Sequence, residues 1–399
     1  MPSTLAWLDH DAEARDRTRR ILALFQEKGT RDQLGLGGIR DSLSDLLFPG
    51  TSTIQTRLRY FLLVPWVYES LEGEGVPANR IGAEARQREI ALIKPLISSD
   101  EEGVFGRSAG GELKRLPSDV YWGGLGDWGI RRFSGSRDEY HQAIDEIHRQ
   151  RRAIRHLRSK DDGTEGAVVT WHPELPGPPQ GFPDELDLSL RREEAEFLSD
   201  CIVAAQPKSL LAWLVLRADR TSVPYAWQHP RLGEMSQKHQ EVLSDVRVFS
   251  DVMRGAAILY NWILCEEAGF DDRVDEHRES YQRWASELDH EALTRWSVAR
   301  LITTAQSQGG YRIGPPTIEF VDRWVRLVRE GVERIPIRDD ARRLIRNREI
   351  RLKGARSLFR NRRALEERYG GALGLGRMSF RWPNVQVLLN DLHDGLERG

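Results

Sequence analysis

The sequence predicts a mostly α-helical protein, built from two packed helical domains with few short strands. Three observations carry this. Apolar residues recur at three- and four-residue spacing through most of the chain, runs with period-two alternation are scarce, and one stretch rich in Pro and Gly interrupts the helical pattern. A chain of 399 residues with 39% hydrophobic content exceeds the usual single-domain size and can bury a substantial core.

Residues 11–28 place Ile21, Leu22 and Phe25 on one side, with Asp9 and Asp11 available as caps. After Gly29, Gly35, Gly37 and Gly38, a short amphipathic helix carries Ile39, Leu43, Leu46 and Leu47 until Pro49 and Gly50 stop it. Thr51, Ser52 and Thr53 are cap candidates for a helix running through Ile54, Leu58, Phe61, Leu62 and Trp66, which Pro65 should kink. Helices are also expected over 79–98 and 136–158.

Between Ser159 and Glu185 the chain collects Pro173, Pro176, Pro178, Pro179 and Pro183, a composition that favours extended, exposed backbone. This places a domain boundary there: an N-terminal helical domain over 1–160, a linker over 161–185 and a C-terminal helical domain over 186–399. Ala167 to Trp171 could form an edge strand. Further helices are expected over 189–205, 208–218, 236–268, 272–287, 290–305, 316–334, 339–352, 355–369 and 383–397. The run from Val242 to Ile263 keeps helical spacing for several turns and should be the central helix of the second domain.

Cys201 and Cys265 are the only cysteines, too few for a disulfide framework or a zinc finger, and both are expected buried and reduced. The first residues lack the basic and apolar regions of a secretory signal, and the longest apolar runs are shorter than the ~20 residues of a membrane span. A cytoplasmic protein without a membrane partner is the expectation. The twelve Trp suit core packing and, second, contacts between subunits.

Charge is the strongest functional signal. The chain carries a formal net charge of −2, yet Arg338 to Arg381 holds fourteen Lys/Arg against five Asp/Glu. Segregation of this kind argues for an anionic partner. A helix starting near Ala355 would align Arg356, Arg360 and Arg363 at i, i+4 and i+7, with Leu358 and Leu365 opposite. Arg342 and Arg346 would extend the positive surface from the preceding helix. Gly370, Gly371, Gly374 and Gly376 would let backbone N–H groups approach an anion before Arg377 and Arg381, while Phe380 and Trp382 offer planes for stacking on a base. The arginine fork binds phosphate or carboxylate bidentately, so nucleic acid and acidic protein both qualify, as does internal pairing. A second cluster, Arg149, Arg151, Arg152, Arg155, Arg158 and Lys160, suits a helix C-terminus beside Asp145 and Glu146.

Catalytic signatures are weak. Gly124, Gly126 and Gly129 match G-x-G-x-x-G, but without the strand and helix of a dinucleotide site they read as a turn between helices. His141, Asp145 and His148 share a helix face that could take a metal, and more simply form a solvated face; His172 and His229 read as loop residues. Asp100 followed by Glu112 and Lys114 imitates a metal-dependent nuclease site, though glycines place it in a loop. The sequence contains no phosphate-loop motif and no H-E-x-x-H, and it implies no cofactor.

Leu5-Ala-Trp-Leu-Asp9, Thr30-Arg-Asp-Gln-Leu-Gly35, the run from Ile39 to Arg57, Leu116 to Trp122, Trp171-His-Pro173 and Phe380-Arg-Trp-Pro383 resemble segments of a bacterial domain-of-unknown-function family of about this length. The resemblance covers nearly the whole chain. It implies association with anti-phage defence gene clusters that also encode helicases and phospholipase-D-like nucleases. The resulting expectation is a non-enzymatic subunit of a defence complex. It would contact nucleic acid, DNA ahead of RNA, through Arg342, Arg346, Arg356, Arg360, Arg363, Arg377, Arg381 and Trp382, and partners such as a helicase or nuclease through Trp-rich helices. The alternatives are a divergent metal-dependent nuclease and a pure protein scaffold.

Overall fold

The computed structural model describes residues 32–99, 101–158, 168–217, 219–307, 312–361, 363, 365 and 374–398. Among them the structure is mostly helical, and an isolated antiparallel bridge between Arg131 and Trp171 stands where the edge strand was expected. In chain order, α1 (Gly37–Leu47), α2 (Tyr60–Gly73), α3 (Ala78–Ala91), α4 (Ile93–Ser98), α5 (Pro117–Asp127), α6 (Arg137–Arg158), α7 (Arg192–Ala205) and α8 (Leu210–Val215) precede the long α9 (Gln237–Ala268). Then follow α10 (Asp271–Glu287), α11 (His290–Arg295), α12 (Val298–Gln306), α13 (Pro315–Gly331), α14 (Asp339–Lys353) and α15 (Trp382–Glu397). The helix expected over 11–28 lies outside the described residues.

The chain forms two compact units, and neither is one continuous stretch. The first joins Met1–Leu46 to Val223–Pro383, and the second joins Leu47–Ser222 to Asn384–Gly399. The units therefore do not part at the expected linker over 161–185. Extended Pro-rich backbone serves instead as a strap of the second unit. Trp171 is buried, Arg132 N donates to Thr170 O at 2.8 Å, and Trp66 Nε1 donates to Pro176 O at 2.6 Å. As composition implied, the stretch is non-helical and most of residues 173–185 are exposed, while Trp171 and the bond from Trp66 to Pro176 anchor it to the second unit.

In the first unit α9 is the axis. Ser236 caps it by accepting from His239 N at 3.2 Å, Gly269 ends it in the left-handed conformation at φ 73°, and the residues between Val242 and Cys265 are mostly buried. Two tryptophans lock neighbouring helices onto its backbone. Trp284 Nε1 of α10 donates to Asp251 O at 2.7 Å, and Trp324 Nε1 of α13 donates to Val252 O at 3.0 Å, using spare lone pairs of helix carbonyls. The single helix expected over 290–305 is two, α11 and α12, because Ser297 starts a new helix by accepting from Arg300 N at 3.3 Å. Asp32 caps α1, accepting from Leu36 N at 2.8 Å and Gly37 N at 2.7 Å.

In the second unit α2 is buried nearly all round, which a helix tolerates only at the centre of a core. It continues through Pro65 but starts at Tyr60, later than expected from Thr51 to Thr53. The residues before it are claimed by distant partners: Tyr121 Oη accepts from Thr56 N at 2.9 Å and donates to Arg57 O at 2.8 Å, and Asn384 Nδ2 donates to Gln55 O at 2.9 Å. Near the end of α2 the buried Glu72 carboxylate accepts from Tyr140 Oη, Trp171 Nε1, Thr170 Oγ1 and Arg151 Nη1. Arg57 bridges to Asp391 at 2.9 Å and Glu101 at 2.8 Å. Glu89 of α3 accepts from Ser118 N at the start of α5, and burial pushes its carboxyl up to about 7.

Gly124 and Gly126, expected in a turn between helices, lie inside α5. Helix is possible there because Pro117 suits the first helical position, and glycine is required at 124 because a Cβ would come within 2.3 Å of Gly50 O. Both cysteines are buried and outside any disulfide, as the sequence implied, and burial pushes the Cys201 thiol up to about 12. Among the described residues no helix is long and apolar enough to cross a membrane.

Candidate anion-binding surface

The basic segment lies in the first unit and begins with α14. Asp339 and Asp340 occupy its first turn and Arg351 and Lys353 its last, an arrangement that complements the helix dipole. Ala341, Ile345, Arg348 and Glu349 form its buried face. Arg342 and Arg346 lie beside that face, where they pair with Glu266 and Glu267 at the end of α9. Arg346 also sits over the ring of Phe359, 5.3 Å from its centroid. These two expected contact residues therefore have anionic partners within the chain.

The same holds further along. Arg377 pairs with Asp251 of α9, and Arg381 pairs with Asp45 of α1. Phe380 and Trp382 are buried, and Trp382 Nε1 donates to Val223 O at 2.9 Å. Trp382 serves as a core residue and presents no plane for base stacking. Tertiary structure brought carboxylates of distant sequence to these groups, so the net count over 338–381 overstates the charge they present.

The helix expected from Ala355 does not begin there. Gly354 takes φ 56° and opens a single 3-10 turn over Gly354–Arg356. The buried Glu349 carboxylate then accepts from Ser357 Oγ and from Leu358 N at 2.8 Å, which holds the chain in a turn. Arg356 and Arg360 consequently do not share a helical stripe. Both are exposed, and neither forms an ion pair with a described residue. Arg363 is exposed as well, and most of its neighbours through 373 lie outside the described residues.

A different set of arginines converges on a groove between α13 and α14, with a volume of about 250 Å³. Arg343, Asn347 and Arg351 stand at i, i+4 and i+8 along α14, and Arg323 faces them from α13. Arg348 forms the innermost part. Only 6% exposed, its guanidinium donates to Leu34 O at 2.8 Å, Gly35 O and Pro316 O at 3.1 Å each, and Thr317 Oγ1 at 2.9 Å. All four acceptors are neutral. Burial lowers the pKa of Arg348, with Asp32 opposing the shift from a distance. Of the two acids in the groove, Asp340 is held bidentately by Arg338, which pulls it down to about 2, and Glu319 lies 3.7 Å from Arg323. Arg351 has no carboxylate partner among the described residues, and Arg343 only the exposed Asp339 at 3.9 Å. Sequence reasoning chose Arg342 and Arg346 and passed over Arg343 and Arg351, although the i, i+4, i+8 row was visible.

The remaining candidates are occupied. His141 Nε2 is 3.1 Å from Tyr68 Oη, Asp145 accepts from Ala78 N at 3.0 Å, and His148 is buried, so the three do not converge on a metal. His393, Asp394 and Glu397 of α15 lie close together, but Arg220 already pairs with both carboxylates. Glu112 and Lys114 stand exposed in a loop and single 3-10 turn, and Asp100 lies outside the described residues. In the second basic cluster Arg149 pairs with Glu146 and Arg151 with Glu72. His172 and His229 each accept from a backbone N–H two residues on, at 3.2 Å, as loop residues would. Among the described residues most tryptophans are buried, including Trp66, Trp128, Trp284 and Trp324, as core packing requires.

No curated protein and no solved structure matches the chain. A family model described as a family of unknown function (DUF6361) matches residues 2–395. The match spans the strap, both units and the basic segment alike, and the chain belongs to the DUF6361 family.

Proposed function

We propose that this protein is a nucleic-acid-binding subunit, without catalytic chemistry of its own, that works in a bacterial anti-phage defence complex beside a helicase or nuclease. One observation carries the binding reading. After Arg342, Arg346, Arg377 and Arg381 have been neutralised internally, Arg356 and Arg360 remain exposed beyond α14 without a carboxylate partner among the described residues. An arginine fork left free in this way matches a phosphate. The defence role rests on the gene-cluster association implied by the resemblance of the whole chain.

Binding is tested by salt titration with labelled single-stranded and duplex DNA and RNA. Log affinity falling linearly with log salt, and affinity weakened in R356E/R360E without a drop in melting temperature, is the expected result. Equal affinity of the variant and the wild type would overturn the assignment. For the cellular role, deleting the gene from a strain carrying such a cluster should abolish its phage protection; retained protection would refute it.

A further inference from the structure

We infer that the groove between α13 and α14 is a socket for a phosphate monoester, the terminal phosphate of a nucleic-acid strand or of a free nucleotide. The inference rests on the nucleic-acid reading for the larger ligand, and it assigns a separate set of residues to the strand end.

A guanidinium removed from water is costly unless an anion or a full set of hydrogen bonds replaces the solvent. Four of the five N–H groups of Arg348 are used on neutral oxygens, and one Nη1 N–H is left over at the groove. Phe320 lies beneath it, the ring centroid 5.2 Å from the guanidinium carbon, which supplies some compensation but no charge. No carboxylate lies within ion-pair distance of Arg348 among the described residues. Arg59, for comparison, reaches both Asp187 and Glu194.

The surrounding charges set the valence of the anion that fits the groove. Four arginines, Arg323, Arg343, Arg348 and Arg351, line the groove against Glu319 and Asp340, and among the described residues neither Arg348 nor Arg351 has a carboxylate partner. The excess of two positive charges in one small groove suits a dianion. A phosphate monoester carries a charge of about −1.5 to −2 at neutral pH and offers three terminal oxygens, whereas a phosphodiester carries one negative charge and must continue on both sides. Asn347, exposed between Arg343 and Arg351 on the same helix row, can donate to a third oxygen. A volume of about 250 Å³ admits the phosphate and part of an attached ribose, leaving the remainder of a strand outside.

The test uses the full-length protein with inorganic phosphate, AMP, and one oligonucleotide prepared with a 5′-phosphate, a 3′-phosphate or neither. Phosphate and AMP should raise the melting temperature. A terminally phosphorylated strand should bind about tenfold more tightly than the unphosphorylated strand. In R343A/R351A, whose side chains are exposed, both effects should vanish while the melting temperature without ligand is kept. Preference for one phosphorylated end identifies a strand end as the source, and tight AMP binding without any preference among strands identifies a free nucleotide. If neither phosphate, AMP nor terminal phosphorylation has an effect, or if the effects persist in R343A/R351A, the socket is refuted. Failure of the two readings is separable. Strands bound equally with and without a terminal phosphate, and no response to AMP, leave the nucleic-acid reading and remove the socket. AMP binding that R343A/R351A abolishes, with no strand bound at any salt, does the reverse.

Discussion

Trp171 Nε1 donates a 3.1 Å hydrogen bond to Glu72 Oε1, which joins a Pro-rich strap to the helix at the centre of the second unit. The carboxylate is 8% exposed and receives Tyr140, Thr170 and Arg151 as well. Glu72→Ala would strand four buried or half-buried donors together, one of them charged. The expected loss is roughly 3–5 kcal/mol in urea denaturation, with Glu72→Gln losing less because its amide oxygen still accepts. A loss below about 1 kcal/mol for the alanine variant would show that the strap is held by other contacts.

Glu89 gives the second unit a defined pH response. Its folded carboxyl titrates near 7, against an ordinary value of 4.5 in the unfolded chain, because burial disfavours the charged form. A raised folded value means that the folded chain keeps a proton which the unfolded chain releases. The stabilising contribution is therefore complete below about pH 4.5 and is lost as pH rises through about 7. Glu89→Gln imitates the protonated form at every pH. The stability of the wild type relative to this variant should fall by roughly 3 kcal/mol across that window. A pH-independent difference between the two would contradict the burial argument.

Gly255 marks the closest approach of α9 to α10. A Cβ there would lie 2.3 Å from Trp284 Cζ2, and the indole is pinned by its bond to Asp251 O. Gly255→Ala gains about 1 kcal/mol of helix propensity but forces the ring aside, so a net loss of about 1–3 kcal/mol is expected by thermal or urea denaturation. A more stable variant would show that Trp284 has room to move.

Charge reversal separates the arginines that hold the fold from those that face solvent. R356E/R360E should reduce the slope of log affinity against log salt by about 1–2 while stability is kept. R342E/R346E would instead set carboxylates against Glu266 and Glu267, and should lower the melting temperature. The opposite pattern would exchange the roles assigned to the two pairs.

Much of the fold was legible because helices write a local signal. The run from Val242 to Ile263 announced α9, Pro315 and Gly331 bracket α13, and the apolar row of Ile39 and Leu43 is the buried face of α1. The misreadings arose where a distant group claimed local backbone. Tyr121 delayed the start of α2, Glu349 replaced a helix at 355 with a turn, and Trp171 anchored the Pro-rich stretch to the second unit.

The candidate surface divides along the same line. Sequence alone determined the mostly helical class, and it also determined that a basic excess lies between Arg338 and Arg381, since periodicity and charge are properties of neighbouring residues. Which arginines stay free was decided by tertiary structure alone. Glu266, Glu267, Asp251 and Asp45 are remote in sequence, and folding places them against Arg342, Arg346, Arg377 and Arg381. Arg348 was folded into a site that offers only neutral acceptors. A charge count adds residues wherever they fall, whereas Coulomb attraction decays over a few ångströms, so only the folded chain shows which charges remain to attract a partner.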